Sequence, residues 1–191
     1  MLVELAVFSA IIILMAFTPL GYLQIGVVKM TLIMIPVAVG AITVGPAAGA
    51  FLGLVFGVTS FAQCFGLDAF GTALMAINPI YTFIMCIVPR VLMGYLCGLI
   101  FKAVKKLSKS AAYIAASVSG AVLNTIFFVG LLMLFFGRSD YIEGLRGTAG
   151  LWTFLAAFVG LNGLIEIAVC SIVGAPAAAA IDTAVKKLNR Q

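Results

Sequence analysis

The chain has no histidine. That one absence removes Ser-His-Asp and Cys-His nucleophilic catalysis and most metal sites of the usual His type. Charge is scarce as well. Asp, Glu, Lys and Arg make up 9% of the residues, against about 25% in soluble domains. So small a share excludes a soluble globular protein, a disordered chain and a nucleic-acid binder. The four cysteines (Cys64, Cys86, Cys97 and Cys170) stand singly among apolar residues, with no C-x-x-C. They read as small buried hydrophobes rather than a disulfide framework or a zinc site. No G-x-x-x-x-G-K-[ST] occurs, so the chain brings no phosphate-binding loop for ATP. A period-two alternation is lacking too, which disfavours a β-barrel.

What is present is apolar: 64% of the 191 residues are hydrophobic. Such a chain uses lipid as its solvent. Its length suits one domain over residues 1–191, and long uncharged runs fall between punctuating charges. A span needs about 20 mostly apolar residues. On that basis the reading is an all-α membrane protein of six transmembrane helices, at about 2–17, 28–44, 47–62, 80–102, 111–136 and 151–187. Residues 1–23 lack the basic start of a cleavable signal peptide and carry Glu4 where Lys or Arg belongs, so this segment is expected to stay as the first span.

Orientation follows from the loop cations. Lys102, Lys105, Lys106 and Lys109 crowd one connection, and Lys186, Lys187 and Arg190 crowd the C-terminus. With six spans both clusters lie on one side, which is then the cytoplasm, together with both termini. The outward connections are 18–27, 63–79 and 137–150. The first two are Gly-bearing and apolar enough either to close a cavity or to be ordinary surface loops. As lids they would contact a ligand or each other through Leu20, Tyr22 or Leu67. Pro19 and Gly21 would supply the bend in one lid and Gly66 and Gly71 the joints in the other.

Small residues recur at four-residue spacing: Gly45, Gly49, Gly53 and Gly57; Gly94 and Gly98; Ala6 and Ala10. Such ridges let helix backbones approach closely in lipid, inside the bundle or against a partner helix. Three charges lie in or beside the spans: Lys29, Arg90 and Glu166. A charge at a helix centre costs about 2.5–3.5 kcal/mol on insertion scales, so each should face the interior or a polar cavity. Lys29 is equally explained by snorkelling to the interface. Arg90 and Glu166 are either ligand-binding groups or a structural pair. Asn78, Asn124 and Asn162 offer amide donors and acceptors, or simply join helices. Glu166 follows Asn162 by one turn and shares its face. Gln24, Gln63, Tyr81 and Trp152 lie near the outward ends, where aromatic residues also form interfacial belts. Polar residues thus collect in the outward halves of the later spans, while the inner halves are almost purely apolar. A blind outward-facing pocket for one small polar solute fits this better than a channel.

Several segments resemble a known family. TPLGYLQIGVVKMTLIMIPVAVGAITVGPAAGAFLGLVFGVTSF, PRVLMGYLCGLIFK with its following basic loop, and VLNTIFF resemble the substrate-binding (S) components of energy-coupling factor (ECF) vitamin transporters. FVGLNGLIEIAVCSIVGAPAAAAI resembles the pantothenate-type members in particular. The resemblance implies a six-helix bacterial cell-membrane protein that binds a vitamin from outside with high affinity, and that has no ATPase and no catalytic residues of its own. It implies association with a transmembrane coupling subunit and two cytoplasmic ATPase subunits, the coupling subunit docking on Ala6-x-x-x-Ala10. No cofactor or metal ion is expected. Lys29, Arg90 and Glu166 leave one net positive charge in the membrane, which an anionic ligand would cancel. Arg90 would receive its carboxylate, and Gln63, Asn78, Tyr81, Asn124, Asn162 and Glu166 would complete the site. Riboflavin is the competing vitamin. A membrane enzyme or a ligand-free assembly protein remain the other classes.

Overall fold

A computed structural model describes residues 2–19, 21–25, 28–148, 150, 153, 160 and 163–188, with backbone alone for 22–25, 28–30 and 186–188. Helix α1 (Leu2–Ala16) opens the chain and turns inward Phe8, Ile12 and Ala16, each one turn after the last. It is followed by an antiparallel hairpin of β1 (Tyr22–Ile25) and β2 (Val28–Thr31), in the register Tyr22↔Thr31 to Ile25↔Val28. Gly21 is buried where this hairpin leaves α1, and a Cβ there would fall on the Met15 carbonyl.

The hairpin corrects the expected second helix. A helix over 28–44 would set the Pro36 ring against the Leu32 carbonyl and leave that carbonyl without a donor. The helix therefore begins only at Met34, where Pro36 falls in its first turn. This is α2 (Met34–Thr43). Residues 28–31, with Val28 and Thr31 β-branched, pair as a strand instead. Lys29 accordingly sits in β2 opposite Gln24, not at a helix start.

Helix α3 (Pro46–Gln63) starts after Gly45, whose φ of 131° only glycine adopts without strain. Two expected loops contain helices. In 63–79, Asp68 accepts a hydrogen bond from the Gly71 N–H at 2.8 Å and caps α4 (Ala69–Ile77). In 137–150, Ser139 caps α7 (Asp140–Arg146), which has acidic residues in its first turn and Arg146 in its last. Gly71 is therefore a buried helical residue against the Cys64 sulfur, not a flexible joint. Gly66 keeps a left-handed φ of 112° in a turn.

The long helices are α5 (Pro79–Val104) and α6 (Lys109–Phe136), begun by the caps Asn78 and Ser108. The last, α8 (163–188), contains a π-helical turn at Cys170–Gly174 and continues α-helical as Ala175–Leu188; its apolar span is Gly163–Val185. Among the described residues, α3, α5, α6 and α8 are long and apolar enough to cross a membrane, while α1 and α2 are shorter apolar helices.

The main core joins α1, α2, α3, α5, α6 and α8 around Ile12, Val37, Leu52, Phe56, Met93 and Ala116. A second cluster (Leu74, Met85, Leu132, Phe136 and Ile142) sits under α4 and α7 at the hairpin end of the bundle. The opposite end carries Lys102 and the Gly45 turn. The almost purely apolar character expected of this end is interrupted by a buried polar contact: the Tyr113 hydroxyl donates to Asp182 Oδ2 at 2.6 Å. All four cysteines are free and buried, in keeping with their reading as small hydrophobes.

Candidate functional site

The glycine ridge of α3 sets the depth of one cation. Cβ atoms at Gly49, Gly53 and Gly57 would fall on the Gly94, Arg90 and Cys86 carbonyls, so α3 and α5 touch backbone to backbone at three successive points. Gly45, the fourth member of the spacing, has open space around it and serves the turn. Arg90 is thereby held in the middle of α5, between Met85 of the smaller cluster and Met93 of the larger.

The residue before Arg90 explains where its guanidinium goes. Pro89 has no N–H, so the Met85 carbonyl one turn earlier loses its helical partner. Arg90 Nη1 donates to that carbonyl at 2.8 Å. The guanidinium carbon lies 5.4 Å from the Phe56 ring centroid and 5.0 Å from that of Phe128. Cation–π contacts of this kind are worth about 2 kcal/mol when desolvated. The side chain is 8% exposed, and its Nε has no hydrogen-bond partner. A buried, unmatched donor on a permanent charge is costly to leave so.

Two further buried polar groups stand on α6 and α8. Asn124, one turn before Phe128 on α6, is buried, and its Oδ1 is unpartnered. Glu166 on α8 is also buried, and its Oε1 accepts from the Thr31 N–H at 3.0 Å. The hydrogen bonds of Arg90 and Glu166 go to different partners, and no direct ion pair joins them. The structural-pair alternative for these two residues is therefore not what the fold adopts. Glu166 instead ties the base of the hairpin to α8.

The remaining expected site residues are scattered. Gln63 is buried and donates through Nε2 to the Ala16 carbonyl, joining the ends of α3 and α1. Asn78 caps α5, accepting from the Ile80 and Tyr81 N–H groups at 3.1 Å each. Tyr81 is exposed and stacks on Phe135 with centroids 4.6 Å apart. Leu67 is exposed in the turn before α4. Tyr22 begins β1, with only its backbone described, and Leu20 and Asn162 lie outside the described residues, as does Trp152. On α1, Ala6 and Ala10 are exposed on the side away from Phe8 and Ile12.

Sequence reasoning missed Phe56, Phe128 and the Thr31 N–H. The spacing of Phe128 from Asn124 was available as a signal, but aromatic residues at helical spacing are usually only core. A cavity of about 360 Å³, lined by Leu5, Gly45, Pro46, Phe51 and Lys102, lies at the lysine end. It is some 18 Å along α5 from Arg90 at 1.5 Å per residue, so it is not the expected outward pocket.

Residues 1–178 match the family described as "ECF transporter, substrate-specific component". Two curated relatives are similar. The "Pantothenic acid transporter PanT" of Lactococcus lactis subsp. cremoris (strain MG1363) is 30% identical over 154 residues, 76% of this chain and 74% of that protein. The "Pantothenate transporter PanT" of Leuconostoc mesenteroides subsp. mesenteroides is 36% identical over 99 residues, 49% of this chain and 47% of that one. The apolar helices long enough for a bilayer and the match over nearly the whole length agree: this chain is a membrane protein that belongs to the substrate-specific component family of ECF transporters.

Proposed function

We propose that this chain is the pantothenate-binding S component of an ECF importer. It takes the vitamin from the outer face of a bacterial cell membrane, and an ATP-driven complex of one transmembrane coupling subunit and two ATPase subunits supplies the energy. The observation that carries this reading is Arg90, a buried guanidinium with a free Nε against Phe128 of α6, the helix that carries the buried, unpartnered Asn124 carbonyl oxygen one turn earlier. A carboxylate complements the first and a hydroxyl or amide N–H the second. Pantothenate carries all three groups on one small flexible body, and both relatives above are named for it.

In this reading the chain crosses the membrane six times as one domain. Helices α1 and α2 take part although they are shorter than the other spans. Both termini and the Lys102–Lys109 loop are cytoplasmic. The site around Arg90 opens outward, with Asn124, Asn162 and Glu166 as its polar lining and the hairpin and the 63–79 segment as its cover. Gln63, Asn78 and Tyr81 keep the structural partners described above and shape the entrance. The exposed Ala6 and Ala10 receive a helix of the coupling subunit. Chemistry on the ligand is not part of the function.

The direct test is to purify the chain from cells in mild detergent and identify by mass spectrometry any small molecule it retains. Pantothenate at near one per chain is the expected result. Retention of riboflavin, or of no ligand together with no binding of added pantothenate, would overturn it.

A further inference from the structure

We infer that Pro89 is a positioning residue for ligand recognition: by leaving the Met85 carbonyl free, it fixes which edge of the Arg90 guanidinium is offered to a carboxylate. The inference rests on the pantothenate reading above and adds to it a residue that never touches the ligand.

A proline inside a helix removes one hydrogen bond and presses its ring against the carbonyl four residues back. In α5 that carbonyl belongs to Met85, and Pro89 is buried with its neighbour. In hydrocarbon such an acceptor must find another donor, and the one it finds is Nη1 of Arg90 at 2.8 Å. The bond closes a short ring from the side chain back onto its own helix. Guanidinium is planar and has two usable forked edges. With Nη1 engaged by Met85 and ring faces of Phe56 and Phe128 within 5.4 and 5.0 Å of its carbon, rotation of the plane is blocked. The edge left over is the one bearing Nε, and Nε is the atom with no partner. A carboxylate meeting Nε–H and the neighbouring Nη2–H makes the bidentate pair for which Arg is suited. Gly53 contributes from the other side: its lack of a side chain lets the α3 backbone rest on the Arg90 carbonyl, so the helix turn that carries the guanidinium has no slack.

Any residue other than proline at 89 supplies an N–H to Met85. The carbonyl then turns back into the helix ladder and Arg90 loses its anchor. The consequence is specific to the acidic end of the ligand, because the groups that would hold the hydroxyl and amide portion stand on α6 and α8.

The experiment compares pantothenate with pantothenol, its alcohol analogue with CH2OH in place of the carboxylate, by calorimetric titration of the purified full-length chain. Wild type is expected to prefer pantothenate at least 30-fold. Pro89→Ala and Pro89→Val restore the same N–H with different bulk. Both are expected to bring the preference below about threefold while pantothenol affinity stays within threefold of wild type. Removing an interior proline favours the helix, so folding should survive. If wild type shows no preference, the carboxylate reading of Arg90 fails, and this inference fails with it. If wild type prefers pantothenate and the two variants keep that preference, Pro89 alone is excluded. Loss of both ligands in parallel, or an effect that follows side-chain bulk at 89, would also overturn it, since either would mark a packing role.

Discussion

At the scale of single residues, the cost of Arg90 is what gives it meaning. A cation in the middle of an apolar helix is kept from unfavourable solvation by one carbonyl and two aromatic rings, and these leave one donor unmatched. The unliganded protein is then poised to gain from an anion. Replacing Arg90 by Ala should weaken pantothenate binding about 10- to 100-fold or more, since a hydrogen bond to a charged group is worth about 1.5–3 kcal/mol. Lysine should not rescue it, because an ammonium offers no planar fork. Titration calorimetry of both variants checks this. Wild-type affinity in Arg90→Ala would remove the residue from the site.

Elements transmit these requirements through contact distance. The α3 and α5 backbones meet at Gly49, Gly53 and Gly57. A Gly53→Ala substitution therefore sets a methyl on the Arg90 carbonyl and has to part the two helices. The expected result is a lower melting temperature, from overpacking that typically costs about 1–3 kcal/mol, together with weaker ligand binding. A thermal melt with and without pantothenate reads both. On α1 the logic is reversed. Phe8, Ile12 and Ala16 are buried, while Ala6 and Ala10 are exposed on another face. Trp at position 6 or 10 should leave binding by the isolated chain intact and abolish uptake in cells carrying the complete transporter, because bulk there keeps a partner helix at a distance. Loss of binding in the isolated chain would show that these alanines matter to its own packing.

For the whole molecule, the notable connection runs from the hairpin to the far end of the chain. Glu166 on α8 accepts from the Thr31 N–H at 3.0 Å. One carboxylate therefore joins the hairpin to the last helix. On the function proposed above, a ligand held at Arg90 lies under this link and steadies the hairpin. Hydrogen exchange should slow on adding pantothenate across 21–25, 28–31 and 63–79. Glu166→Leu should speed exchange at β1 and β2 even without ligand. Equal rates with and without pantothenate would reduce these segments to ordinary connections.

Much of this was legible in the sequence. Nine per cent charge forces a lipid-solvated helix bundle, and Arg90, Asn124 and Glu166 stand out because polar groups in such a chain are costly and few. Local chemistry was legible too: Asn78-Pro79 starts a helix, and Gly45-Pro46 breaks one. Some local signals were present but outweighed by composition, such as Pro36 against a helix over 28–44 and Asp68 as the cap of α4. Hydropathy averages over a window and does not see one missing N–H. Only the tertiary structure decided the pairings. Gln63 turned to the Ala16 carbonyl, Glu166 to Thr31, and Arg90 to Met85, Phe56 and Phe128. A side chain's partner depends on which helix faces pass within reach. That is set by the glycine contacts between α3 and α5 and by the fold of the hairpin, over separations in the chain that periodicity cannot carry.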